Sequence, residues 1–231
     1  MKIDILTLFP EMFAPLKESI VKRATEDGKV EINLINIRDF ARAPHYRCDD
    51  MPFGGGAGMV MMCEPIFKAI ESVKTDESEI FYMSPRGKVF NQQSAKEMSK
   101  LNHIILLCGH YEGIDQRVID YFDIKELSIG DYVLTGGELP AMVIADSIVR
   151  LIPGVISQDS TIEESFSSCS VDGTETTLLE YNQYTRPAEF RGLCVPEVLL
   201  NGNHKKIAEF RREQSIELTK KNRPDLLKKT K

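Results

Sequence analysis

The sequence predicts an α/β fold, a largely parallel sheet covered by helices, followed by a small C-terminal helical domain. Three observations lead there. Short runs rich in Ile, Val and Phe alternate with helix-like stretches through residues 1–155, as chains of βαβ units do. The glycines gather where those runs end. Beyond Gly154 the composition turns first polar, then basic.

Residues 2–9 (KIDILTLF) read as the first strand and 11–26 as a helix entered through Pro10. Residues 30–37 (VEINLINI) alternate as a second strand. A helix over 65–75 precedes a third strand at 79–83 (EIFYM), and a helix over 91–101 precedes the wholly apolar fourth, 103–108 (HIILLC). Residues 115–122 form a short helix, 124–129 a fifth strand, and 131–135 a candidate sixth. Residues 138–152 (ELPAMVIADSIVRLI) make a strongly apolar helix that stops at Pro153-Gly154. Residues 157–178 lack apolar periodicity and are rich in Ser, Thr and Glu, the composition of a mobile connection. A basic helix follows over 204–221, with Ile207, Phe210 and Leu218 as its buried stripe and Arg211, Arg212, Lys220 and Lys221 toward water. The organisation is therefore 1–155 as an α/β domain, 156–177 as a flexible linker and 178–231 as a helical domain.

The 231 residues are 42% hydrophobic and 28% charged, enough to bury a core. No apolar run reaches the roughly 20 residues of a membrane span. The first residues carry Asp4 and break at Pro10, unlike a signal peptide. Five cysteines without a CxxC pair and four histidines without an HxxxH pair exclude a disulfide framework and a structural metal, and suit a reducing, cytoplasmic setting. The net charge of −6 argues superficially against nucleic acid. It is an average of unlike parts: residues 201–231 hold ten Lys or Arg against four acids, +6, leaving −12 on residues 1–200.

Three glycine groups follow or interrupt the strands: Gly54 to Gly58, Gly109 with Gly113, and Gly130 with Gly136 and Gly137. Each alone is satisfied by a tight turn. Together, at strand ends, they describe loops whose backbone approaches a ligand in the crevice where open α/β sheets bind. GGGAG lacks the Lys-Ser/Thr of a P-loop, and no GxGxxG follows the first strand, so neither a nucleotide triphosphatase nor an ordinary dinucleotide dehydrogenase is supported. CGHYEGIDQR (108–117) and IGDYVLTGG (129–137) suit a small organic ligand with a base and a ribose. Cys108, inside an apolar strand, reads as a packing residue.

In order along the chain, LTLFPEMF, GGGAGM, YMSPRG, CGHYEGIDQR, SIGDYVLTGGELPAM, RLIPGV, ESF and YTRPAEFRG resemble the bacterial tRNA (guanine-N1)-methyltransferases, from Met1 to about Leu227. The resemblance implies the SPOUT class, a parallel-sheet domain threaded as a trefoil knot. It implies a homodimer that binds S-adenosylmethionine and methylates N1 of the guanine immediately 3′ of the anticodon (position 37), with tRNA rather than DNA or a membrane as partner. Carried over residue by residue, Tyr82, Ser84, Pro85, Gly109, Tyr111, Glu112, Gly113, Ile129, Gly130, Asp131, Tyr132, Val133, Leu134, Gly136 and Gly137 line the methyl-donor site. Arg150 matches a catalytic arginine, and the acid before Ser165-Phe166 is the general base.

That acid is Glu164, where the family usually has aspartate, which leaves Glu163 and Asp159 as competitors. The stretch between Phe166 and Leu178 is also longer than the family suggests. His110 stands where arginine is common. Asp115 is placed for the guanine edge or, alternatively, for an N-cap. Lys205, Lys206, Arg211 and Arg212 of the basic segment are candidates for tRNA backbone contact. The family is associated with a divalent ion such as Mg2+, yet no dedicated carboxylate cluster is present. Two rival readings are an RNA methyltransferase of the same fold acting on another atom, and an RNA-binding module without catalysis.

Overall fold

The run HIILLC forms the middle strand of a five-stranded parallel sheet, and all six of its residues are buried. The computed structural model describes residues 1–157, 162–171 and 174–227. The chain divides into two units, Met1–Ile156 and Ser157–Lys231.

In the first unit the elements run β1 (Lys2–Thr7), α1 (Ser19–Glu26), β2 (Glu31–Asn36), β3 (Asp49–Asp50), β4 (Val60–Met61) and α2 (Cys63–Val73). They continue as β5 (Ser78–Val89), α3 (Gln92–Met98), β6 (His103–Cys108), α4 (Gln116–Phe122), β7 (Lys125–Ser128) and α5 (Glu138–Val149). The sheet order is β2-β1-β6-β5-β7. Its parallel pairing is read from registers such as Ile5 with Leu106 and Ile80 with Ile105.

Period-two alternation gives the sheet two apolar faces, so both must be covered. Ile104, Leu106 and Cys108 face one core with Ile3, Ile5 and the buried stripe of α5, Ala141, Ile144, Ala145, Ile148 and Val149. Ile105 and Leu107 face the other, with Ile66, Ala69 and Ile70 of α2 and Val118 and Ile119 of α4. Full burial of each such side chain contributes roughly 1.5–3 kcal/mol.

Several boundaries differ from expectation for physical reasons. The helix expected over 11–26 is a 3-10 helix, Pro10–Lys17, followed by α1. Pro15 has no N–H to continue an α-helix, and Ser19 turns through φ 54°. The candidate strand at 131–135 does not form: these residues find no strand partner and cross the sheet end as a loop. The third strand extends from 83 to Val89 because it re-pairs with β7 beyond an irregularity, where Met83 and Lys88 both register with Leu127.

The second unit departs further. Residues expected as featureless linker include an antiparallel pair, β8 (Ser167–Val171) and β9 (Thr174–Leu178). The overlooked signal was the Asp172-Gly173 dipeptide, a hairpin-turn pair, between runs containing Val and Thr. Those two residues lie outside the described ones. A second antiparallel pair, β10 (Glu189–Phe190) and β11 (Leu193–Cys194), precedes α6 (His204–Asn222), so this unit mixes hairpins with one long helix. Asn203 caps α6, its side chain accepting from the Lys206 N–H at 3.2 Å. The expected stripe of Ile207, Phe210 and Leu218 is half-buried, and the deepest positions are Ser215 and Thr219. The Thr219 hydroxyl explains this: it accepts from the Leu179 N–H at 2.8 Å and donates to the Ser215 carbonyl at 2.6 Å.

Candidate active site

The carboxyl ends of β5, β6 and β7 meet where the strand order reverses: β6 lies on one side of β5 and β7 on the other. Crevices of open α/β sheets form at such switch points. Residues 129–137 leave β7 and run back across the ends of β5 and β6 to start α5. The Gly137 N–H donates to the Gly109 carbonyl at 2.8 Å. A Cβ on Gly137 would lie 2.7 Å from Cys108 Cα and 2.9 Å from Gly109 N, so only glycine permits this crossing. Gly109 has a parallel task, since its own Cβ would enter the buried Tyr82 ring at 2.7 Å.

The GGGAGM segment is joined to the same place. The Glu112 N–H donates to the Met59 carbonyl at 2.9 Å, Met61 N–H to Gly113 at 2.9 Å, and Asp115 N–H to Met61 at 3.1 Å. Met61 is fully buried. This short ladder anchors the 109–115 loop from below while Tyr111 turns through φ 58°.

Between the loops lies a cleft of about 210 Å³. It is lined by Tyr82, Ser84, Pro85, Gly109, Tyr111, Glu112, Gly113, Ile129, Gly130, Tyr132, Val133, Leu134, Gly136 and Gly137. Of the residues expected at a donor site, Asp131 alone does not line it; it is exposed in the adjoining loop. Met83, His110, Leu127, Ser128, Thr135 and Pro140 also line the cleft; His110 and Thr135 lie within the two segments read as ligand loops, and sequence reasoning missed the other four. Met83 and Ser128 are neighbours of expected residues at strand ends, and that adjacency was their only signal.

The cleft mixes apolar walls with polar groups, as a small-molecule site does. Nδ1 of His110 is buried and has no hydrogen-bond partner among the described residues. Glu138, 2% exposed, accepts from the Thr7 hydroxyl at 2.8 Å. Burial pushes the Tyr82 phenol above its usual range and the Cys108 thiol well above its own, which makes Cys108 a packing group and no nucleophile.

A family model described as tRNA (Guanine-1)-methyltransferase TrmD matches residues 1–229. The chain belongs to this tRNA (guanine-1)-methyltransferase family. It is 57% identical over 232 residues to the tRNA (guanine-N(1)-)-methyltransferase of Caldanaerobacter subterraneus subsp. tengcongensis, covering 99% of this chain and 92% of that one. It is 54% identical to the protein of the same name from Clostridioides difficile, covering 100% and 99%. A third, from Dictyoglomus turgidum, is 53% identical, covering 100% and 91%.

The remaining residues singled out for a tRNA (guanine-1)-methyltransferase lie outside the cleft lining. Arg150 is the C-cap of α5, its N–H donating to the Asp146 carbonyl at 3.1 Å. In the second unit Glu164 is half-buried just before Ser165, whose hydroxyl accepts from the Glu180 N–H at 3.0 Å. Glu163 accepts from the Tyr181 hydroxyl at 2.8 Å and lies 3.9 Å from Arg211. Asp159 falls outside the described residues. Lys205, Lys206 and Arg212 are exposed on α6.

Asp115 is the N-cap of α4. One oxygen accepts from the Arg117 backbone N–H at 2.9 Å, and both accept from its guanidinium, at 2.9 and 2.7 Å. Hydrogen bonds from Arg117 hold the Asp115 carboxyl well below the usual carboxylate range. Among the described residues no group of three or more His, Cys, Asp or Glu side chains is arranged to hold a metal ion.

Proposed function

We propose that the chain transfers a methyl group from S-adenosylmethionine to N1 of the guanine 3′ of the anticodon (position 37) in tRNA. The observation that carries this reading is convergence. Three separate sequence segments, around Tyr82, Gly109 and Gly130, close on one cleft at the sheet's switch point in a chain of this family.

The cleft fits the donor. Gly109 and Gly137 form a cradle that a Cβ would fill, His110 Nδ1 is a polar atom awaiting a partner, and exposed Glu112 adds a negative charge suited to a cationic ligand. The bound donor supplies an electrophilic methyl on a sulfonium. Tyr82, Gly109, Tyr111, Gly113 and the 129–137 loop hold and orient it, with Asp131 at the edge of that loop; such positioning is a major part of the rate enhancement.

Guanine N1 carries a proton and is a poor nucleophile while it does. Glu164 removes that proton as N1 attacks, and Arg150 donates to O6, where negative charge develops. Glu163 engages the Tyr181 hydroxyl and faces Arg211, and the acid next to Ser165 is Glu164, the position that matches the family's base. Asp115, the candidate for the guanine edge, has both oxygens on Arg117 and is given no part in this scheme. No carboxylate cluster among the described residues fits a resident Mg2+, and no step is assigned to one.

The same reading makes residues 1–155 the donor-binding SPOUT domain and 178–231 the tRNA-binding domain, with the 156–177 segment joining them. Lys205, Lys206, Arg211 and Arg212 contact the tRNA backbone. The return of residues 129–137 over the ends of β5 and β6 supports a trefoil knot. Leu139 and Val143, 49% and 46% exposed on α5, support a homodimer that covers them. No helix among the described residues is long and apolar enough to cross a membrane. A cytoplasmic location, where tRNA substrates are found, belongs to the same proposal.

The test is methyl transfer from labelled donor to unmodified tRNA with and without guanine at the target position, the product mapped by mass spectrometry. Transfer to N1 of that guanine is expected, and Glu164→Gln should lower turnover by about 10²- to 10⁴-fold while donor binding persists. Label on a ribose hydroxyl or another base would redirect the reading to a different RNA methyltransferase. Binding without transfer would leave an RNA-binding module. Near-normal turnover in the variant would sink the base assignment alone.

A further inference from the structure

The second unit contains a cleft of its own, of about 310 Å³, between the segment that starts at Tyr181 and the face of α6. We propose that this cleft is a second RNA-recognition site, which takes one unpaired nucleobase of the tRNA by stacking on Tyr184. It rests on the reading of tRNA as substrate.

The floor is rigid. The Arg211 guanidinium lies 4.5 Å from the centre of the Tyr181 ring, the Tyr181 hydroxyl donates to Glu163, and Glu163 faces Arg211 at 3.9 Å. These three side chains hold one another, which pre-orients this side of the cleft for a ligand. Nε of Arg211 is nevertheless buried with no hydrogen-bond partner among the described residues. A buried donor left unpaired is costly, which favours a ligand carrying acceptors.

The rim differs from the floor. Tyr184 is 44% exposed and makes no ring contact or hydrogen bond among the described residues. Every residue from 182 to 194 is exposed, and Asn182 and Arg186 join Tyr184 at the cleft. Leu200 and Ile207 add apolar surface to the cleft. A flat aromatic, apolar surface, an amide and two cations match a planar, hydrogen-bonding, phosphate-linked ligand. Unpaired RNA bases are recognised by just such stacking and edge contacts. The ten Lys or Arg in residues 201–231 favour a polyanion over a peptide as the molecule carrying that group.

The test measures the full chain's dissociation constant for tRNA transcripts in which single unpaired anticodon-loop positions are made abasic. Tyr184→Ala should weaken binding by about 5- to 150-fold, the range of one base–aromatic stack, and Tyr184→Phe should restore it. One abasic position should cause a similar loss, and adding Tyr184→Ala to that transcript should cost little more. Binding by Tyr184→Ala within about twofold of the parent, or additive losses at every loop position, would overturn the proposal. A parent chain that binds tRNA without methylating it would undo only the catalytic reading, whereas one that does not bind tRNA would undo both.

Discussion

Thr7, at the end of the first strand, and Glu138, at the start of α5, meet in the core although 131 residues separate them: the Thr7 hydroxyl donates to the Glu138 carboxylate at 2.8 Å. Thr7 is fully buried and also accepts from the Phe9 N–H at 2.9 Å, so one hydroxyl ties the first strand, the turn after it and the entry to α5. Thr7→Val keeps the shape but strands the Phe9 N–H and a buried carboxylate. We expect a loss of about 1–3 kcal/mol in urea unfolding, with Glu138→Gln milder because an acceptor remains. A loss below about 0.5 kcal/mol would mean that packing alone holds α5 in place.

Gly137→Ala tests the crossing of the 129–137 loop. The added methyl meets the backbone of Cys108 and Gly109, neither of which is the yielding end of a side chain. Overpacking of this kind costs about 1–3 kcal/mol. Thermal unfolding should record the lower midpoint, and titration calorimetry with S-adenosylmethionine should record weaker binding. Unchanged donor affinity would separate this loop from the donor site.

Asp115→Ala removes the α4 N-cap and should destabilise the chain by about 1 kcal/mol at pH 7. Because the folded-state carboxyl is held low by Arg117, its contribution is fully present above the unfolded value of about 4. It fades as pH falls from there toward the folded-state value. The stability gap between parent and variant should therefore be constant from pH 7 to about pH 5 and shrink below about pH 4. A gap that instead narrows above about pH 5 would contradict the Arg117 pairing.

Exposed Lys205 and Lys206 begin α6, in the region whose charge opposes the rest of the chain. Replacing both by alanine should flatten the slope of log affinity against log salt for tRNA by about one for each phosphate that is no longer neutralised. Affinities measured from about 50 to 200 mM salt suffice. An unaltered slope would make the acidic–basic division of the sequence incidental.

Much of this was legible before the fold. The unbroken apolar run HIILLC placed β6 to the residue, and the glycine groups marked the loops that close the cleft. Long-range partners left no local sign. Asp4 reads as a polar interruption of the first strand, yet it is fully buried and bonded to His103, ninety-nine positions away, at 2.8 Å. Lys2 at 2.8 Å and Asn33 at 2.9 Å complete its surroundings. Pro15 carried its own warning against a continuous helix, and the Asp172-Gly173 pair signalled a hairpin that polar composition obscured.

By itself the sequence determined the family, the strand and helix periods and the identity of most of the cleft residues, because those rest on local pattern and on motifs read in order. Only the tertiary structure decided that residues 129–137 cross the ends of β5 and β6, that Asp4 pairs with His103, and that Tyr181, Glu163 and Arg211 hold one another beside the cleft that exposed Tyr184 lines. Each depends on which side chains meet across the sheet or between hairpin and helix. Such meetings are chosen by packing and by the need to pair buried polar groups. Neighbours along the chain do not encode them.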